Sequence, residues 1–191
     1  MRSPAVRATG EQPEKRVFFK NLLKMTSSSF DREKSRILIT CPKGLAPYLA
    51  GEIRSLGFPV RNEASAAVET SGTLHDTMRL NLHLRTGHRV LFLTRECEAE
   101  TADDLYKELT GIGWEDYIEA DGYVSVTASV ENPTIRDSRF AALKCKDAIV
   151  DRIRASRGRR PDSGPVKKGA AVFLYWRDKA CSIYLDTTGE P

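Results

Sequence analysis

The sequence predicts a mixed α/β protein, α+β in arrangement, made of two consecutive units, and three observations carry that expectation. Short runs rich in β-branched residues alternate with runs of helical periodicity along most of the chain. A fresh helix-capping signal near residue 101 restarts the pattern after a first set of elements is complete. Hydrophobic residues make up 40% of the 191, enough to bury the core of one domain or of two small ones.

The first unit opens with RILITC (36–41), a strand by its branched residues. Pro42 then opens a helical run, KGLAPYLAGEIRSLG (43–57), with Leu45, Leu49, Ile53 and Leu56 on one face and Gly57 as its stop. PVRNEASAAVETSG (59–72) reads as two short strands around a turn of small residues. Thr73 is placed to cap a second helix over 73–87, expected to turn Leu74, Met78, Leu82 and Leu84 inward until Gly87 ends it. HRVLFLTRECEA (88–99) supplies the next strand. Strand, helix, strand, strand, helix, strand is the split βαβ or ferredoxin-like order, one sheet with two helices on one face.

Thr101, with Asp104 three residues on, forms a capping box for the helix DLYKELTGI (104–112), and Trp114 follows in a turn. YVSVTASV (123–130) alternates as a half-buried strand. The polar loop ENPTIRDS (131–138) contains Pro133, which cannot continue a ladder. A long helix is expected over 138–156, with Ala142, Leu143, Ile149, Val150 and Ile153 as its buried stripe, and then a basic linker broken by Gly and Pro over 157–169. AAVFLYWR (170–177) and ACSIYLD (180–186) form a closing hairpin turned at Asp178 and Lys179. The expected units are 36–98 and 99–188.

Residues 1–35 read as a flexible basic tail, and Met25, just before a Ser-rich charged run, is a candidate start. No apolar stretch approaches the roughly 18 to 20 residues of a membrane span, and no secretory signal is visible, so a cytoplasmic protein without a membrane partner is expected. Cys41, Cys97, Cys145 and Cys181 lie far apart with no CxxC pair, which points to reduced, buried thiols rather than a metal site. Phosphate-cradling GxGxxG and GxxxxGK[ST] loops are absent, as are GxSxG and HExxH. His75, His83 and His88 fall on different sides of one helix without a nucleophile partner, and Asn132-Pro133 reads as a turn. Neither catalytic residues nor a metal nor a cofactor is therefore expected in this chain.

Charge is the informative feature. The formal net charge is only +4, yet residues 136–168 hold eleven Lys or Arg against four Asp, a net +7. Focused positive charge is the footprint of phosphate binding, although an amphipathic helix with a solvated charged face would give the same count. The residues expected to contact such a polyanion are Arg136, Ser138, Arg139, Phe140, Lys144, Lys146, Arg159, Arg160, Lys167 and Lys168. The loop before the long helix also offers Asn132 and Thr134, next to a helix N-terminus whose free amides attract anions. Phe140, Tyr175 and Trp176 are candidate stacking surfaces, with a place in the core as the competing reading of the two strand residues.

The phrases TCPKGLAPYLAGEIRSLG (40–57), LNLHLRTGHRVLFL (80–93), LYKELTGIGWEDYI (105–118), SRFAALKCKDAIVDRIR (138–154) and SIYLDTTGEP (182–191) resemble the N-terminal half of bacterial 23S rRNA guanine-N2 methyltransferases. FAALKCKDAIVDRIR and the LDTTGEP ending are its most specific parts. The resemblance implies a ferredoxin-like domain followed by a THUMP domain, whose sequence boundary could begin near residue 74, and it implies RNA binding, which charge alone only permits. By the same resemblance Ser138, Phe140, Lys144, Lys146 and Asp147 match the THUMP pattern, the two lysines toward RNA and Asp147 toward the fold. It further implies that S-adenosylmethionine is bound by a methyltransferase domain outside this sequence. The expected function is thus RNA targeting, with structured RNA, 23S rRNA in particular, and a methyltransferase domain as partners. The alternative is a protein-interaction adaptor, or a degenerate fragment, without RNA binding.

Overall fold

The computed structural model describes residues 33–135, 137–166 and 169–189. The expected tail and the candidate start at Met25 lie outside the described residues, apart from residues 33–35. β1 (Ser35–Thr40) buries Ile37 and Ile39 completely. α1 (Ala46–Ser55) begins later than its sequence suggests. Gly44, at φ +90°, turns the chain first, and Pro47 takes the first helical turn, where its missing N–H costs nothing. Gly57, at φ +86°, ends the run, in keeping with the expected stop.

β2 (Asn62–Ala64) and β3 (Ala67–Gly72) form the expected tight hairpin. α2 (Leu74–His83) is capped reciprocally: Asp76 N donates to Thr73 Oγ1 at 3.2 Å and Thr73 N donates to Asp76 Oδ2 at 2.8 Å. Of the expected Leu74, Met78, Leu82 and Leu84 only Leu74 is fully buried; it shares the buried face with Thr77 and Leu80, and Leu82 is 67% exposed. At about 100° per residue Leu82 lies about 80° round from Leu74, on the side away from Thr77 and Leu80. Thr77 can be buried because its hydroxyl donates to Leu74 O at 2.6 Å.

β4 (Arg89–Glu98) is the longest strand and belongs to both units. Its first residues pair with β1, and the stretch from Leu91 onward pairs with β8 (Ala180–Asp186), across an irregularity between Leu93 and Arg95. α3 (Ala102–Thr110) carries the expected capping box, Thr101 with Asp104, and Trp114 follows in a 3-10 turn. Trp114 is fully buried and donates its indole N–H to Leu109 O at 2.8 Å. β5 (Tyr123–Glu131), α4 (Ser138–Arg157), a two-residue β6 (Asp162–Ser163), β7 (Ala170–Arg177) and β8 complete the described chain.

These strands make one continuous eight-stranded sheet in the order β2-β3-β1-β4-β8-β7-β5-β6. β5 runs parallel to β6 and β7, and the remaining pairs are antiparallel. The two expected units are therefore halves of one sheet. Two apolar clusters lie under the helices, one around Ile37, Leu49, Leu80 and Phe92, the other around Leu105, Trp114, Ile149 and Trp176. The segment after β8 ties the halves together. Thr187 donates to Val90 O through both its N–H (3.0 Å) and its hydroxyl (2.9 Å), Val90 N donates to Thr188 Oγ1 at 2.7 Å, and Asn81 Nδ2 donates to Thr187 O at 3.1 Å. The LDTTG part of the ending that stood out in the sequence thus has a structural task. No described helix is long and apolar enough to cross a membrane.

Candidate nucleic-acid interface

The focused charge resides on α4 and the segment after it. Small residues let this helix sit close to its support: Ala141, Cys145, Ala148, Ile149, Val150 and Ile153 are its buried residues. Ile149, Val150 and Ile153 were expected there, whereas Ala141 and Cys145 take the places assigned to Ala142 and Leu143. Leu143 is 50% exposed because, at about 100° per residue, it points roughly 120° away from Ile149. Gly158, at φ +70°, closes the helix with its N–H on Arg154 O. Arg154 and Arg157 in the last turn complement the negative end of the helix dipole.

At the N-terminal end the helix is already satisfied. The Asp137 carboxylate accepts from Arg139 N at 2.9 Å and lies 3.3 Å from Arg139 Nε. Those bonds, the backbone one foremost, hold its carboxyl below the usual carboxylate range. The anion-attracting terminus expected from the sequence is therefore occupied by the protein's own carboxylate. Lys144 pairs with Asp103 of α3 at 3.4 Å, and Lys179 in the adjacent hairpin turn pairs with Glu100. Asn132 forms a turn, as its sequence suggests: its side-chain oxygen accepts from Thr134 N at 2.7 Å, and its amide donates to Asp178 O at 2.6 Å. Phe140, 44% exposed, is available to a ligand. Trp176 is not, being fully buried with its N–H on Ala99 O at 3.1 Å, while Tyr175 is half-buried.

Midway, Lys146 pairs with its neighbour Asp147 at 3.2 Å, its side chain 22% exposed. Tyr106 OH donates to Asp151 Oδ2 at 2.9 Å. Glu115 grips Arg152 with both oxygens, Nη2 to Oε1 at 2.7 Å and Nε to Oε2 at 3.2 Å. This fork holds the Glu115 carboxyl below the usual range. Arg157 donates to Glu115 O at 3.4 Å.

At the C-terminal end the pattern changes. Arg154, Arg159 and Arg160 are exposed and have no ion-pair partner among the described residues. Of the residues expected to contact RNA, Ser138, Arg139 and Phe140 lie at one end of α4, and Arg159 and Arg160 beyond the other. With a rise of about 1.5 Å per residue the two groups are separated by ~27 Å along the axis. Lys144 and Lys146 lie between them. Arg136, Lys167 and Lys168 fall outside the described residues. Among the described residues no group of His, Cys, Asp and Glu is arranged to hold a metal.

Arg154 lies in the basic segment counted from the sequence but was not among the residues expected to contact RNA. Sequence reasoning also missed the arginines on the face of the sheet opposite the two apolar clusters. Arg89 binds the buried Asp186 carboxylate at 2.7 Å and stacks over Phe173 at 5.2 Å, and Arg36 donates to Tyr184 OH at 3.1 Å. Asp186, within the distinctive chain ending, was the available signal. Both arginines serve the fold.

The RlmL ferredoxin-like domain matches residues 36–91 and the THUMP domain matches residues 99–186. A "Ribosomal RNA large subunit methyltransferase K/L" of Pseudomonas savastanoi is 33% identical over 157 residues, covering 82% of this chain and 21% of the relative. The protein of the same name from Pseudomonas aeruginosa is 35% identical over 153 residues, covering 80% of this chain and 21% of the relative. The chain thus spans about a fifth of the length of the curated relatives it matches. A solved structure from Listeria monocytogenes, a predicted N6-adenine-specific DNA methylase, superposes with a TM-score of 0.70 at 22% identity, covering 87% of this chain and 42% of that one. That last likeness is one of fold.

Proposed function

The chain joins an RlmL ferredoxin-like domain to a THUMP domain, and on that premise we propose that it binds structured RNA and positions it for methylation. The RNA is 23S rRNA, the target a guanine N2, and the described residues act in targeting rather than in chemistry. S-adenosylmethionine belongs to a methyltransferase domain that works with this chain, in the cytoplasm. The observation that carries the reading is the set of arginines at the C-terminal end of α4, Arg154 with Arg159 and Arg160, exposed and without an ion pair among the described residues. Guanidinium groups without an internal partner are free to form forked bonds with phosphate oxygens. The names of the relatives support rRNA as the ligand.

Binding of the chain to a 23S rRNA fragment, followed by fluorescence anisotropy across a salt series, tests the proposal. The affinity falls steeply with salt, with a log–log slope of about −2 to −3 if the three arginines meet two or three phosphates. Salt-independent binding, or no binding at low salt, overturns it.

A further inference from the structure

Three of the four cysteines, distant in sequence, converge where β4 meets β8 beneath α4. Cys97 stands directly opposite Cys181 in the antiparallel register. Two residues on, Ala99 N donates to Lys179 O at 2.8 Å, so the Cys97/Cys181 pair falls at a hydrogen-bonded position of the ladder. Such pairs have Cα atoms about 5.5 Å apart, within the span of a disulfide. Both side chains belong to the apolar cluster under α3 and α4, so they project to the same face. The neighbouring Cys181 side chain holds the Cys97 thiol below its ordinary range, and Cys97 together with burial pushes that of Cys181 up. Cys145 approaches from α4, fully buried, its own thiol pushed up by burial. Cys181 is 1% exposed, whereas Cys97 is only half-buried. Cys97 is thus the least buried of the three, and the one whose thiol is held low. Cys41 sits in the other cluster.

We propose that Cys97 and Cys181 form a peroxide-sensitive dithiol site at the strand junction between the two halves. The Cys97 thiolate attacks one oxygen of a hydroperoxide. The O–O bond breaks, Cys97 becomes a sulfenic acid, and the alkoxide leaves as an alcohol after taking a proton. The Cys181 sulfur then attacks the Cys97 sulfur, the S–O bond breaks, and hydroxide leaves as water with the proton that Cys181 gives up. Two thiols and one hydroperoxide yield one disulfide, one alcohol and one water; the sulfurs together lose two electrons and the peroxide gains them. The product pins β4 to β8, the pairing that makes one sheet of the two units.

The test is treatment of the native full chain with hydrogen peroxide, followed by alkylation of free thiols and peptide mapping. The expected result is a peptide linked through Cys97 and Cys181, two fewer alkylated cysteines, and full reversal by a dithiol reductant. Cys97→Ser abolishes the link and Cys41→Ser leaves it intact. Cys181→Ser leaves a sulfenic acid at Cys97 that a dimedone probe traps. The map of the unsubstituted chain decides the matter even if a variant fails to fold. Four alkylatable thiols after peroxide, a link from Cys97 to Cys145, or irreversible sulfinic acid at Cys97 overturns the proposal.

Discussion

At the N-terminal end of α4, Arg139 leans on Asp137 and Lys144 on Asp103, and the neighbouring Lys179 is held by Glu100. At the C-terminal end, Arg154, Arg159 and Arg160 face solvent with no described carboxylate to meet them. Both ends contribute equally to a charge count, yet they present different fields. A cation beside a carboxylate at 3 to 4 Å is mostly cancelled beyond a Debye length of about 10 Å, whereas an unpaired cluster projects over that distance. Positive charge read from a sequence therefore overstates the surface available to a phosphate chain. The partners that cancel it here, Asp103 and Glu115, sit on other elements.

The sharpest way to break this comparison is to reverse charge at each end separately. Arg154→Glu, Arg159→Glu and Arg160→Glu together lower affinity for a 23S rRNA fragment on the order of 100-fold at low salt and flatten the salt dependence. Arg139→Glu with Lys144→Glu lowers it less than about 5-fold, because those cations are already paired. Equal losses from the two variants, measured by anisotropy at one ionic strength, would remove the distinction between the ends.

A smaller effect comes from releasing a cation now held. Glu115→Gln frees Arg152 and adds one to the net charge near the C-terminal end, which raises RNA affinity by about 3-fold. The same change lowers the thermal midpoint at neutral pH. The Glu115 carboxyl is held below its unfolded value by the Arg152 fork, so the unfolded chain takes up its proton first as pH falls. Stability from this pair is present above the ordinary carboxylate range, about pH 4.3, and is lost below it as pH falls through the folded value. The gap in midpoint between the parent and Glu115→Gln accordingly narrows in acid. A gap constant from pH 7 to pH 3 would show that Arg152 draws no stability from the pair.

Local chemistry made much of the fold legible. Thr101 with Asp104, Gly57 and the Asp178-Lys179 turn all speak through contacts within a few residues, and the element ends they mark lie where the pattern places them. What was not legible depends on distant partners. Leu82 and Leu143 count as apolar in any periodicity, but which stripe is buried is decided by the surface each helix meets, and both point outward. β6 is two residues that pair only because β5 lies beside them. The β4 to β8 pairing that unites the sheet joins residues more than 80 positions apart. For the candidate interface, the basic segment was visible and Arg159 and Arg160 were named, while Arg154 was counted but not named. The structure gives Asp151 to Tyr106 and leaves Arg154 without an ion pair among the described residues.

The smallest expected effect tests the N-terminal end directly. Asp137 does two things: it caps the helix through Arg139 N, and it places a negative charge where the helix dipole is worth about +0.5 of a charge. Asp137→Ala removes the cap, so the thermal midpoint falls. It also uncovers the terminal amides and frees the Arg139 guanidinium, 94% exposed, from its only ion pair among the described residues. If RNA crosses this end of α4, affinity rises about 2- to 3-fold despite the lower stability, and the salt dependence steepens by one phosphate contact at most. If affinity is unchanged while the midpoint falls, the RNA stays at the C-terminal end and the contrast becomes absolute. A gain as large as the loss caused by reversing the three arginines would put the interface at the wrong end of the helix.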